Sequence, residues 1–157
     1  MILSLHSIAG AILASNSKSV GEAIFIGLIS HYFFDSLPHN DYRIEKIEAG
    51  DFKTASKEFL KVFIDLLIGL SIIFYLIYSN HLEQTLLVLT GAFFAILPDG
   101  LSFLNFCVKN KEKNVFTRFL QKHSLIHGKI HSTVTNKVIT IGSQIIIMAV
   151  LFFSVFK

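Results

Sequence analysis

Residues 138–156 read VITIGSQIIIMAVLFFSVF, with no Asp, Glu, Lys or Arg among them. A helix needs about 20 apolar residues to cross a bilayer core, so this stretch predicts a membrane span. Working back along the chain, Thr85–Val108 is longer and carries only Asp99, and Val62–Ser79 is apolar except for Asp65. Two weaker apolar segments come first. Ile2–Ser15 is short, and Val20–Leu37 carries Glu22, His31 and Asp35. They read as an N-terminal helical hairpin turning through Asn16-Ser17-Lys18-Ser19, its polar side chains facing protein. The expected fold is therefore all-α. It is a polytopic membrane bundle of about five helices, three full spans plus the hairpin, in a single integral membrane domain over residues 1–157.

Composition points the same way. Hydrophobic residues make up 52% of the chain and charged residues 16%, against about 25% charged in a water-soluble domain. Sixteen Phe and no Trp leave Tyr32, Tyr42, Tyr75 and Tyr78 as the aromatic anchors near helix ends. A net charge of +3 would suit nucleic acid, but the basic residues flank apolar spans, so no nucleic-acid partner is expected. Cys107 is alone and builds no disulfide framework. Without a basic n-region ahead of it, the segment 1–15 reads as part of the mature protein.

Lys and Arg set the orientation. The segment 39–61 holds Arg43, Lys46, Lys53, Lys57 and Lys61. The segment 107–137 holds Lys109, Lys111, Lys113, Arg118, Lys122, Lys129 and Lys137. Together they contain twelve of the fourteen basic residues, and an even number of spans separates them. Both are expected to be cytoplasmic loops of a multi-pass cell-membrane protein. The same topology carries His6, His31, Asp35, His39, Asp41, Asp65, Asp99, His123, His127 and His131 to that one face. A short internal match reinforces it. Phe33-Phe34-Asp35-Ser36-Leu37-Pro38-His39 aligns with Phe93-Phe94-Ala95-Ile96-Leu97-Pro98-Asp99, each copy breaking a helix at Leu-Pro just before a potential ligand.

Two constellations can carry chemistry. In Ser30-His31-Tyr32-Phe33-Phe34-Asp35-Ser36-Leu37-Pro38-His39-Asn40-Asp41, His31 and Asp35 lie on one helical face, and Pro38 lets His39 and Asp41 turn back towards them. Imidazole and carboxylate are ligands for zinc or manganese. The alternative is a buried His31–Asp35 hydrogen bond, with His39 and Asp41 capping a helix end. In the second constellation, His123, His127 and His131 are four residues apart and would line one helical face, although Gly128 leaves a loop equally open. That stretch also reads as a basic amphipathic segment on anionic headgroups. Asp99, after the Leu-Pro break, and Asp65 are candidate catalytic carboxylates. Asp65 could instead pair with Lys61 or orient a ligand histidine. His6 is a further candidate ligand, and His81 lies on the opposite face. There is no His-Glu-x-x-His, Gly-rich phosphate loop, nucleophile elbow or Cys-x-x-Cys pair.

His6, the 30–41 stretch, Leu97-Pro98-Asp99 and the histidines at 123–131 together resemble the small bacterial family of membrane-bound metal-dependent hydrolases. More distantly, His31, Asp35 and His39 are similar to the helical His-x-x-x-Asp followed by Pro and His of zinc-dependent phospholipase C and single-strand nucleases, with a shorter Asp-to-His spacing. The resemblance implies a hydrolase that uses a divalent metal, a reaction class more than a substrate. A site opening at headgroup level makes a phosphodiester or lipid-derived ester at the membrane lipid surface the expected substrate. Zinc is the first expectation and manganese the second. A metal-ion or proton transporter, and a non-catalytic scaffold pinned by metal, are the rival readings.

Overall fold

The segment LSLHSIAGAILA spreads small and apolar residues all round a helix, a pattern that suits burial on every side. In the computed structural model, which describes residues 2–79, 81–108, 114–131, 134 and 136–156, this segment is helix α1 (Leu3–Ala14), and every residue from Ser4 to Ile12 is buried. Its 12 residues rise about 18 Å, well short of a bilayer core. The first helix of the expected hairpin is thus the central pin of the bundle.

Around it stand α2 (Val20–Ser36), α4 (Ser56–Tyr78), α5 (Thr85–Val108) and α7 (Lys137–Val155), while α3 (Glu45–Ala49) and α6 (Val115–Ile130) lie in the connections. Every regular element among the described residues is helical. The described residues form seven helices, because the segments 39–61 and 107–137 contain helices besides those of the five apolar segments. The first contains α3 and the start of α4, and the second contains α6. Lys109, Lys111 and Lys113 lie outside the described residues.

Three helices, α4, α5 and α7, are long and apolar enough to cross a membrane. α5 runs straight through Pro98, so only the first Leu-Pro copy ends a helix. Pro98 removes one backbone donor, and packing of α5 on both α1 and α2 keeps the helix continuous across that loss. The outward faces are strongly apolar. Phe25, Ile29 and Phe33 on α2, Phe63, Ile68 and Phe74 on α4, and Ile145, Ile146, Val150 and Phe153 on α7 are all exposed. Such a surface is far beyond the scattered apolar patches of a water-soluble protein.

Small residues set how closely the inner helices approach. Gly10 and Ala14 on α1 meet Gly91 and Ala95 on α5, each pair four residues apart. A Cβ added at Gly10 would lie 2.5 Å from the Gly91 carbonyl oxygen, and one at Gly27 would lie 2.7 Å from that same oxygen. On α4, a Cβ at Gly69 would lie 2.6 Å from Ser7 Oγ. Small-residue stripes of this kind bring backbones together where lipid offers no hydrophobic drive. The result aligns the start of α1, the end of α2, the starts of α4 and α7 and the second half of α5 at one end of the bundle. His81, packed on Phe156, marks the opposite end.

Candidate metal centre

α2 brings His31 and Asp35 to its last turns, both fully buried. The helix stops at Ser36, and Leu37 is extended (φ −81°, ψ 154°), the conformation that a following proline enforces. This turn folds His39 back until its Nε2 is 3.9 Å from Asp35 Oδ1. α7 holds the turn from outside, with Ser143 Oγ donating to the Pro38 carbonyl and Gln144 Nε2 donating to the Asn40 carbonyl at 2.9 Å.

α6 approaches from the other side. Its start is fixed by a capping box in which Asn114 and Thr117 exchange side chain to backbone bonds, and the helix continues through Gly128 to Ile130. His127 Nε2 reaches within 2.9 Å of both His31 Nε2 and Asp35 Oδ2. His131, at the C-cap, places Nε2 2.9 Å from His39 Nε2 and 2.6 Å from Asp41 Oδ2. From α5, Asp99 Oδ1 lies 3.6 Å from His127 Nε2.

Two groups of potential ligands result. One is His31, Asp35, Asp99 and His127, and the other is Asp35, His39 and His131. Within each, the ligand atoms lie within 4.8 Å of one another. Asp35 belongs to both.

The donor chemistry fits a cation in each. His31 Nδ1 donates to the Ala95 carbonyl at 2.7 Å, and His39 Nδ1 donates to the Leu37 carbonyl at 2.8 Å. Carbonyls only accept, so both Nδ1 atoms carry a proton and leave the Nε2 atoms facing into the groups. Each Nε2 lies against another imidazole nitrogen and a carboxylate oxygen. Ligand histidines generally donate their other N–H to a carbonyl or carboxylate in this way. Asp99 Oδ2 adds a buried acceptor with no hydrogen-bond partner among the described residues. These groups could hold a metal ion. The chain matches no family model, no curated protein and no solved structure.

The remaining candidates stand around the two groups. His6 Nε2 lies 3.0 Å from Asp35 Oδ1, and its ring packs on His31 at 4.2 Å between centroids, so it orients the shared carboxylate from behind. Asp41 flanks the second group, 3.4 Å from His39. Burial alone would raise its carboxyl, but hydrogen bonds from His131 and His39 outweigh that and hold it well below the usual carboxylate range. The Asp41 carboxylate in turn raises the His131 imidazole against the opposing effect of burial. His123 belongs to neither group. Its Nε2 is 3.1 Å from the Tyr32 hydroxyl, and its Nδ1 is buried without a partner among the described residues. Burial and the nearby His127 and His31 rings lower its pKa.

Asp65 is placed elsewhere. Its carboxylate accepts from Ser4 N at 2.8 Å, Ser4 Oγ at 2.5 Å and the Tyr42 hydroxyl, while Leu3 N donates to the Tyr42 oxygen at 3.2 Å. Together these satisfy the first free N–H groups of α1, which its own N-cap, Ile2, cannot do. Burial and the neighbouring carboxylate push the Tyr42 hydroxyl upward, keeping it a donor. Asp65 thus anchors the central helix rather than a histidine or Lys61. Asp65→Ala is expected to cost about 2 kcal/mol of stability, read as earlier thermal unfolding in detergent, while bound metal per folded chain stays unchanged. Loss of metal from the variant while still folded would place Asp65 in the metal machinery instead.

Several participants escape sequence reasoning. Ser102, one turn beyond Asp99, sets its Oγ 3.3 Å from His127 Nδ1, and its place on the Asp99 face of α5 is the one signal that could reveal it. The carbonyls of Ala95 and Leu37 carry no side-chain signature at all.

Proposed function

We propose that this chain is a membrane-embedded, metal-dependent hydrolase of the family it resembles, with its site at the cytoplasmic membrane face. The observation that carries the reading is Asp35, one buried carboxylate shared by two groups, in each of which one histidine, His31 or His39, has its outer nitrogen tied to a carbonyl. His31, Asp35, Asp99 and His127 would hold one divalent ion, and Asp35, His39 and His131 a second. The mixed nitrogen and oxygen donors suit zinc, with manganese as the alternative.

A divalent ion there supplies a Lewis acid for a phosphoryl or acyl oxygen and lowers the pKa of water at the site. The chain supplies the rest. His6, Ser102 and the two carbonyls hold the ligands in register. Asp99 Oδ2, buried and without a partner among the described residues, is placed to accept a proton. Tyr32 and His123 border the same space and offer hydrogen bonds to substrate. A phosphodiester or lipid-derived ester is the substrate class, since the site would open at headgroup level.

Arg43, Lys46, Lys53, Lys57, Lys61, Arg118, Lys122, Lys129 and Lys137 all belong to the segments that enclose the site, which favours a cytoplasmic face. Transport calls for ionisable groups spread through the membrane depth. Here they crowd at one end of the bundle, so hydrolysis is the better supported reading.

Elemental mass spectrometry of detergent-purified protein tests this first, paired with phosphodiester and lipid-ester cleavage assays. Wild type and His81→Ala are expected to carry zinc or manganese and to show cleavage that a chelator stops. His31→Ala is expected to lose both. Metal-free wild type after reloading, or equal retention in all three proteins, would sink the hydrolase.

A further inference from the structure

Helix α6 carries more than metal ligands. Thr117, Leu120 and His127 form its buried face, against α5 and α2. A second face runs through Val115, Phe119, Ile126 and Ile130, exposed at 85%, 52%, 58% and 37%. A third consists of Arg118, Lys122 and Lys129, also exposed. At 3.6 residues per turn, Lys122 falls about 20° round the helix from Val115, so the apolar and basic faces adjoin. No Asp or Glu occurs anywhere in VFTRFLQKHSLIHGKI.

We propose that α6 is an interfacial helix whose outer surface binds anionic phospholipid at the bilayer surface. Val115, Phe119, Ile126 and Ile130 enter the boundary between headgroups and acyl chains, and Arg118, Lys122 and Lys129 meet the headgroup phosphates. An apolar face beside a purely basic one is the pattern of helices that lie in the membrane plane and select anionic lipid. The helices α5 and α7, each long and apolar enough to cross a membrane, flank α6 in sequence and bring the bilayer to it. A protein partner would have to bring an acidic surface of its own into this lipid-facing position. His127 belongs to the same helix and His131 caps it, so the lipid-holding surface adjoins the candidate metal ligands. The inference rests on the membrane placement proposed above and is independent of whether the centre hydrolyses anything.

The chain contains no Trp, so Phe119→Trp supplies a single fluorophore on α6. Phe153→Trp on α7, where Phe153 is 74% exposed, is the reference. Each full-length protein is reconstituted in mixed vesicles with either the phosphatidylglycerol or the phosphatidylcholine brominated, at equal mole fractions. The Phe119→Trp protein is expected to be quenched about twofold more by the brominated anionic lipid, and the Phe153→Trp protein equally by both. Adding Arg118→Gln, Lys122→Gln and Lys129→Gln to the Phe119→Trp protein is expected to abolish its preference. Equal quenching without those changes, or a preference that survives them, would overturn the proposal. So would a fluorophore at 119 that neither lipid quenches while the one at 153 is quenched, as when water or a second copy of the chain covers α6. If neither fluorophore is quenched, the membrane placement fails and this proposal fails with it, whatever the metal assays report.

Discussion

Asp35→Asn is expected to strip metal from both groups at once, lowering bound metal per chain at least tenfold. The substitution keeps the side chain's size and removes its charge. Asp35 Oδ2 serves the His31 and His127 side, at 3.3 and 2.9 Å, and Oδ1 faces His6 and His39. An amide offers one weaker acceptor to one side and an N–H donor to the other, where a cation needs electron pairs. His131→Ala touches only the second group and is expected to leave the ion held by His31, Asp99 and His127. Metal analysis of the two variants beside wild type checks the contrast. Equal losses in the two would mean that Asp35 does not join two sites, and wild-type metal in Asp35→Asn would remove Asp35 from the centre.

Gly91→Val is expected to have the largest effect on folding, costing about 3 kcal/mol or more. The atoms that crowd a Cβ at this position are Ala14 Cβ and the carbonyl oxygen of Gly10. A flexible side chain can rotate aside, but a helix backbone cannot. α5 would have to move off α1, and Ala95, one turn along the same face, supplies the carbonyl that orients His31. Gly142→Val on α7 is the comparison, since nothing lies within 4 Å of an added Cβ there. Size-exclusion and thermal unfolding in detergent should show the Gly91 variant aggregated or unfolded and the Gly142 variant like wild type. Wild-type behaviour of Gly91→Val would mean that the α1–α5 contact does not hold the bundle together.

The coarse fold is legible because long apolar segments carry their own signal. The span expected at Thr85–Val108 is α5 to the residue, and the other two long spans fall within a few residues of their expected limits except at the start of α4. That helix begins at Ser56 because Ser56–Lys61 forms polar helical turns that hydropathy does not register. α6 is left open between helix and loop by hydropathy for the same reason. Its apolar residues share the helix with a basic face, and only the Asn114–Thr117 capping box announces where it starts.

The site is legible in its residue types and in its gathering at one end, since His-x-x-x-Asp spacing and the placement of Lys and Arg are local properties. Its division of labour is not. His6 and Asp65 both look like isolated ionisable residues in apolar segments. Only packing shows that one backs Asp35 and the other caps α1.

The sequence by itself determined an all-helical chain with three helices of membrane-spanning length, and a set of histidines and aspartates bound for one end. Those features depend on hydropathy and on spacing along single helices. Tertiary structure alone decided that the shortest apolar helix is the core, and that Asp35 is common to two ligand groups. It also decided which carbonyls fix the histidine tautomers. An apolar helix looks the same in sequence whether lipid or protein surrounds it, and a carbonyl looks the same at every residue. The difference arises only when Gly10 meets Gly91 and the helices close to within backbone contact.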